Sequence, residues 1–452
     1  MSPLYILLIV LSAVLLLLLM VLKFRMSAFV ALLITAIFAG ILSGMPLSSI
    51  TTSIQNGMGS TLGFIATVVG LGAIFGQMLE SSGGARVLAG YLLRKFGTNR
   101  SSWALMLTGF IVGIPIFFDI GLIILVPIVY AMSKNTGKSL LYYGAPLMAG
   151  LAATHALVPP TPGPTAVAQI LGVDLGWVVI FGLITGIPAA ILAGPVYGNY
   201  IAGKMFISVP EILAEIQKKL EESEKRQPSF GTVLLLIALP LMLIIAGTFI
   251  NLGVEKGVIE KSVPVEIIIF LGHPFTALII ATLMSVLVCI RGRFTGSEIL
   301  ELSTKAMGPA GIIILVTGAG GVLKQILIDS GIGKAIAESV AGSSFPLVVL
   351  AWIIAALVRI TQGSATVAMI TAAGIIAPML DSFNLSQPAT ALIVISTASG
   401  STIMSHVNDS GFWIVGKYLG MNEKQTLKSW TMMETIIAVT GLVITFSLSL
   451  II

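Results

Sequence analysis

Apolar runs long enough to cross a bilayer recur along the whole chain, separated by short polar or Gly/Pro-rich turns. They predict helices near residues 4–22, 27–44, 61–79, 103–117, 140–157 and 177–200, then 231–250, 266–290, 310–328, 346–360, 388–404 and 430–452, because about 20 apolar residues span a hydrocarbon core of roughly 30 Å. The first run lacks a basic leader and is read as a retained helix. Shorter pieces at 120–132, 165–171, 367–380 and 412–418 predict half-helices or re-entrant hairpins, since open backbone at membrane depth survives only where protein buries it or it lines a cavity. From 204 to 229 the pattern turns polar and charged, predicting a short amphipathic linker between halves 1–203 and 230–452. The fold class is all-α and polytopic, with about a dozen spans.

The two halves repeat one another. Gln77, Leu79, Ser82 and Gly83 align in register with Gln325, Leu327, Ser330 and Gly331, and His155 and Trp177 find counterparts in His406 and Trp430. Lys23 and Arg25 follow the first helix, whereas in the second half the basic pair Arg291 and Arg293 follows the second helix. Because Lys and Arg favour the cytoplasmic side, the copies are expected to be inserted in opposite orientations, with a cytoplasmic linker and external termini. Inverted repeats are a feature of transporters.

Composition agrees: 56% of the 452 residues are hydrophobic, 10% are charged, and mean hydropathy is +1.06, against about a quarter charged in soluble domains. The net charge of +5 fits basic cytoplasmic loops and implies no nucleic-acid partner. The lone Cys289 excludes a disulfide framework. No glycine-rich loop is followed by Lys-Ser/Thr and no HExxH appears, so neither ATP-driven transport nor a metal is expected. No nucleophile and base share a helix face as an intramembrane enzyme requires, and no charged ring marks a channel filter.

Four stretches set helix breakers beside polar side chains. In the first, Gly113 to Gly121, Asp119 is the sole charge between Arg100 and Lys134; it is either a proton or cation site or a helix cap. The second, Thr154 to Pro164, holds His155, Pro159, Pro160 and Thr161. Its prolines forbid a continuous helix, and His155 is either a carboxylate donor and proton shuttle or a satisfied core histidine. The third holds Arg359, Thr361, Gly363, Ser364 and Thr366 ahead of an apolar helix, a seat for an anion. Arg359 there meets either the substrate carboxylate or the hairpin itself. The fourth runs from Ser399 to Trp413 through Ser405, His406, Asn408 and Asp409 and reads as a cavity lining. Glu434 is an isolated candidate, explained equally by an interfacial position.

At these residues the chain resembles the gluconate permease (GntP) family of proton symporters, within the ion-transporter superfamily. The resemblance rests on Phe117-Phe118-Asp119-Ile-Gly121, on His155 with Pro159-Pro160 and Pro162-Gly163-Pro164, on Arg359 with Gly363-Ser364-Ala-Thr366-Val367, and on Ser405-His406-Val-Asn408-Asp409-Ser410-Gly411-Phe412-Trp413. It implies import of gluconate or a related sugar acid with protons across a bacterial inner membrane, without cofactor, by a homodimer with an elevator-like moving domain. D-serine or glycerate transport and sodium coupling are the alternatives. Two departures stand out: Asp119 where many family members are expected to carry Glu, and Thr161 where they carry a second His. Asp119 and Asp409 are the expected proton carriers, and His155, Pro159, Pro160, Thr161, Arg359, Thr361, Gly363, Ser364, Thr366, Ser405, His406 and Asn408 are the expected substrate-binding residues.

Overall fold

The computed structural model describes residues 3–210, 227–333, 345–380 and 383–452; most of the expected linker lies outside them. Among the described residues every regular element is a helix. The first half contributes α1 (Pro3–Leu22), α2 (Ala28–Leu42), α3 (Leu47–Ser81), α4 (Gly84–Phe96), α5 (Ser101–Val112), α6 (Phe118–Thr136), α7 (Leu140–Leu157), α8 (Pro162–Leu171) and α9 (Leu175–Lys204). The second contributes α10 (Phe230–Glu255), α11 (Val263–Gly272), α12 (Pro274–Arg291), α13 (Gly296–Asp329), α14 (Leu347–Gln362), α15 (Ala365–Leu380), α16 (Gln387–Gly400), α17 (Ser410–Leu419) and α18 (Glu423–Ser449). Among the described residues, seven helices are long and apolar enough to cross a membrane: α3, α6, α9, α10, α12, α13 and α18. Shorter apolar helices, including α2, α14 and α15, accompany them.

Local chemistry sets these boundaries. Thr295 and Glu298 form a reciprocal capping box at the start of α13, and Asn422 with Gln425 does the same for α18. Gly172 and Gly420, 248 positions apart, close α8 and α17 in the left-handed conformation (φ +71° and +65°). Asp174 and Asn422, at the same separation, cap the next helices. The repeat is thus visible in caps as well as in helix lengths.

The axis of the molecule is the pair α3 and α13, of 35 and 34 residues. At 1.5 Å per residue each is about 50 Å long, more than a bilayer core needs. They run antiparallel. Ser53 near the start of α3 donates to Asp329 at the end of α13 (2.5 Å), and farther along Gly57 lies against Gly321 and Val322 so closely that a Cβ has no room. α2 packs on α13 and α12 on α3, while α5, α7 and α9 form one bundle and α14, α16 and α18 another. The short helices α8 and α15 touch each other and wedge between the bundles and the long pair. Lys324, a charge deep in α13 unremarked in the sequence, donates to the Ile170 carbonyl in the last turn of α8 at 2.5 Å, where the helix dipole favours a cation.

Three expectations need correction. The run 266–290 is not one helix: Pro274 cannot continue α11, and His273 caps the new start by accepting from the Phe275 N–H. The piece at 120–132 is not a half-helix, because α6 extends over 19 residues despite Pro127. The helix expected at 103–117 stops at Val112, ahead of Gly113 and Pro115. The amphipathic α4, burying Leu88, Ala89 and Leu92, was not anticipated. All four polar or proline-rich stretches do interrupt helices, at 113–117, 158–161, 363–364 and 401–409.

Candidate functional site

Three helices begin at one cavity. The first turns of α6 (Phe118, Asp119), α15 (Ala365, Thr366) and α17 (Ser410, Gly411) line a space of about 510 Å³, within the roughly 300–1,000 Å³ of small-molecule sites. Each first turn carries N–H groups without intrahelical partners, and their dipoles add positive potential. The remaining polar lining comes from His155 at the end of α7, Arg359 and Gln362 at the end of α14, Thr402, Asn408 and Asp409 in the second open break, and Glu434 in α18.

Arg359 is the centre of this arrangement. It is 3% exposed, and its Nη2 lies 2.5 Å from Asp409 Oδ2. Asp409 is held from other sides as well. Its Oδ2 accepts from the Ser405 hydroxyl, and its Oδ1 accepts from the Gly411 N–H at 3.1 Å, capping α17. Ser405 in turn accepts from Trp430 Nε1 at 2.6 Å, and its carbonyl accepts from the Thr431 hydroxyl. The carboxylate is therefore saturated with donors, while the guanidinium is not: Nε and Nη1 of Arg359 are buried with no partner among the described residues. A buried donor left unmade costs about 1–3 kcal/mol, more when charged, so this edge is a standing demand for an acceptor. Both amide atoms of Gln362 and Nδ1 of His155 are likewise buried and unpartnered.

The hairpin between α14 and α15 turns on Gly363, whose φ of +84° is left-handed and whose missing Cβ leaves room for the Asn408 carbonyl. Asn408 Nδ2 donates to the carbonyls of Ile360 (3.0 Å) and Thr361 (3.3 Å), and His406 Nε2 donates to Ile360 at 2.9 Å. The second open break thus ties off the C-terminus of α14 and fixes Arg359 at its end.

Of the residues singled out in the sequence, Asp119, His155, Arg359, Gly363, Ser364, Thr366, Asn408 and Asp409 line the cavity. Ser405 and His406 stand behind it, holding Asp409 and α14. Thr361 faces its own helix, donating to Leu357 and Val358. Pro159 is buried, and Pro160 and Thr161 border a separate small crevice against Gly72 of α3. Gln362, Thr402 and Trp430 also line the cavity, beyond the residues the sequence singles out. Thr402 lay inside the polar cluster already noted and Gln362 beside Thr361, whereas Trp430, 25 residues beyond Ser405, gave only a repeat marker.

An all-helical membrane protein with paired helix breaks around a buried cavity, and an unsatisfied guanidinium inside it, belongs to the class of membrane carriers. Comparison makes this specific: the GntP family permease profile matches residues 5–451, and the chain belongs to that family. The low-affinity gluconate transporter of Escherichia coli K12 is 41% identical over 434 residues, 96% of each chain. The Pseudomonas aeruginosa gluconate permease is 39% identical over 99% of this chain and 98% of its own. The Escherichia coli Gnt-II system L-idonate transporter is 36% identical over 96% and 97%. Among solved structures, the Alcanivorax borkumensis YdaH transporter matches with a TM-score of 0.60 over 88% of each chain at 14% identity, a likeness of fold alone.

Proposed function

We propose that this permease imports gluconate or a closely related sugar acid together with protons, across a bacterial inner membrane. The observation that carries the reading is the buried Arg359 edge, Nε and Nη1, without an acceptor in a cavity where three helices begin. A carboxylate supplies two acceptor oxygens in the planar geometry that a guanidinium fork matches. The helix N-termini add electrostatic attraction for the same charge. Gln362, Ser364, Thr366 and Asn408 then face the hydroxylated remainder of the solute. The relatives named for gluconate and for L-idonate support a six-carbon sugar acid over glycerate or D-serine, since gluconate and L-idonate differ only in the configuration at one hydroxyl-bearing carbon.

Coupling follows from charge. Arg359 and Asp409 cancel one another, so an entering anion adds a negative charge beside Asp119, a carboxylate for which no described residue provides a hydrogen bond or ion pair. Burying unneutralised charge at membrane depth is costly, and a proton on Asp119 removes it. Asp409, engaged by Arg359, Ser405 and Gly411, is in this reading a positioning residue. The antiparallel packing of α3 and α13, which occupy equivalent places in the two halves, supports opposite insertion of the copies and hence alternating access.

The test is uptake of labelled gluconate by proteoliposomes holding the purified protein. Uptake should follow an inward proton gradient, collapse with an uncoupler, persist without sodium, and be competed by idonate more strongly than by glycerate or D-serine. Sodium-dependent uptake insensitive to the uncoupler rejects proton coupling, and absence of gluconate uptake or counterflow rejects the substrate.

A further inference from the structure

Glu434 enters the membrane region as the only charge between Lys428 and the C-terminus. It sits one turn beyond Trp430 on α18, is 5% exposed, and lines the same cavity as Arg359 and Asp119. Its backbone carbonyl accepts from the Thr402 hydroxyl at 3.4 Å, but no described residue donates to its carboxylate or forms an ion pair with it. The other titratable groups lining the cavity are Asp119 on α6, His155 on α7, Arg359 on α14 and Asp409 ahead of α17. The one cation among them is committed to Asp409 at 2.5 Å. Glu434 is therefore a second acid, on a different helix from Asp119, with no countercharge of its own.

We infer that Glu434 is a second proton-coupling carboxylate, so that two protons accompany each anion, one on Asp119 and one on Glu434. The inference rests on the proposed import of a sugar acid with protons and adds its stoichiometry. With both acids ionised, the Arg359–Asp409 pair neutral and an anion bound, the cavity would hold three negative charges against partial helix dipoles. One proton leaves two negative charges in a largely apolar cavity; two leave only the substrate carboxylate, which Arg359 and the three helix N-termini can hold. In each cycle both carboxylates take a proton from the outside and release it inside, and two protons with one monoanion carry a net single positive charge inward. Uptake then responds to membrane potential as well as to pH.

The experiment measures the steady accumulation ratio of labelled gluconate in proteoliposomes under a gradient of one pH unit, with the potential clamped to zero. Each coupled proton multiplies the ratio by about tenfold per pH unit, so the wild type should reach about 100-fold, Glu434→Gln about 10-fold, and Asp119→Asn/Glu434→Gln no accumulation while still exchanging gluconate by counterflow. Glu434→Asp, which keeps the carboxyl, should stay near the wild-type ratio. An inside-negative potential alone should speed uptake in the wild type and not in Glu434→Gln. A wild-type ratio of about tenfold, or a Glu434→Gln ratio equal to the wild type, overturns the role of Glu434 and leaves the transport reading standing. Loss of all proton-driven accumulation in the wild type overturns both. Should Glu434→Gln fail to fold, the wild-type ratio and its response to potential decide the matter without it.

Discussion

The breaks after α7 and after α16 occupy corresponding places in the two halves, yet they solve the problem of open backbone in opposite ways. The first, at 158–161, is short and apolar. Pro159, Pro160 and Pro162 bring no N–H groups, Thr161 donates to the Val158 carbonyl at 2.6 Å, and every residue from Val158 to Pro164 is buried. Because proline removes the donors that an open backbone would otherwise leave unsatisfied, little else is required to stabilise it. The second, at 401–409, is more than twice as long and polar. Its groups are satisfied by a network running from Trp430 and Thr431 through Ser405 to Asp409 and Arg359, and by His406 and Asn408 on the end of α14. The difference teaches that two breaks at corresponding places in the chain can share a scaffold and still divide the chemistry. One break is an apolar wall with His155, just before it, lining the cavity; the other is a polar cradle that holds the buried Arg359.

The largest effect should come from severing the cradle. Arg359→Gln leaves Asp409 buried without its cation, which costs about 3–5 kcal/mol, and removes the carboxylate anchor. Gluconate uptake should fall by more than about 100-fold, with a lower unfolding temperature in detergent. Arg359→Gln/Asp409→Asn should recover most of that stability and none of the transport; a double variant that transports like the wild type would refute the anchor. Next in size is Gly363→Ala. A left-handed alanine costs about 1–2 kcal/mol, and its methyl group would meet the Asn408 carbonyl, prising the hairpin from the polar break. A KM raised by at least about tenfold with little change in kcat is expected, since a displaced site of about 1.4 kcal/mol loses a factor of ten in binding. Ser405→Ala should do less. It deletes the donor to Asp409 and the acceptor of Trp430 Nε1, a loss of about 1–3 kcal/mol, visible as a lower unfolding temperature together with a several-fold higher KM.

Much of this contrast was legible in the sequence, and the limits are instructive. Helix breakers beside polar residues in apolar surroundings located all four interruptions, because proline, glycine and lone charges have few uses at membrane depth. Periodicity could not tell His273 from an ordinary turn residue inside a continuous apolar run, nor show that α6 would continue past Pro127. Site membership was harder. Thr361 and Gln362 are neighbours of similar polarity, but the helical turn points one back along α14 and the other into the cavity. Ser405 and His406 read from the sequence as ligands of the solute, while in the structure their hydrogen bonds go to Asp409, Trp430 and the Ile360 carbonyl, since hydrogen-bonding capacity is visible in a sequence while the direction in which it is used is not. Lys324 escaped notice because its partner, the Ile170 carbonyl, lies 154 positions away.

The smallest expected effect belongs to the proline break and is the sharpest check on the division of labour. Thr161→Val keeps the shape of the side chain and deletes only the hydroxyl that donates to Val158. If this break is a wall, the substitution should cost about 1 kcal/mol of stability, the net worth of one intramolecular hydrogen bond, and leave the KM for gluconate within about twofold. Thr161 borders the crevice against α3 and not the main cavity, so no substrate contact is lost. A KM shift as large as that of Ser405→Ala, without a matching loss of stability, would mean that the first break also touches the solute during the transport cycle. The two halves would then share the binding work despite their unequal polarity.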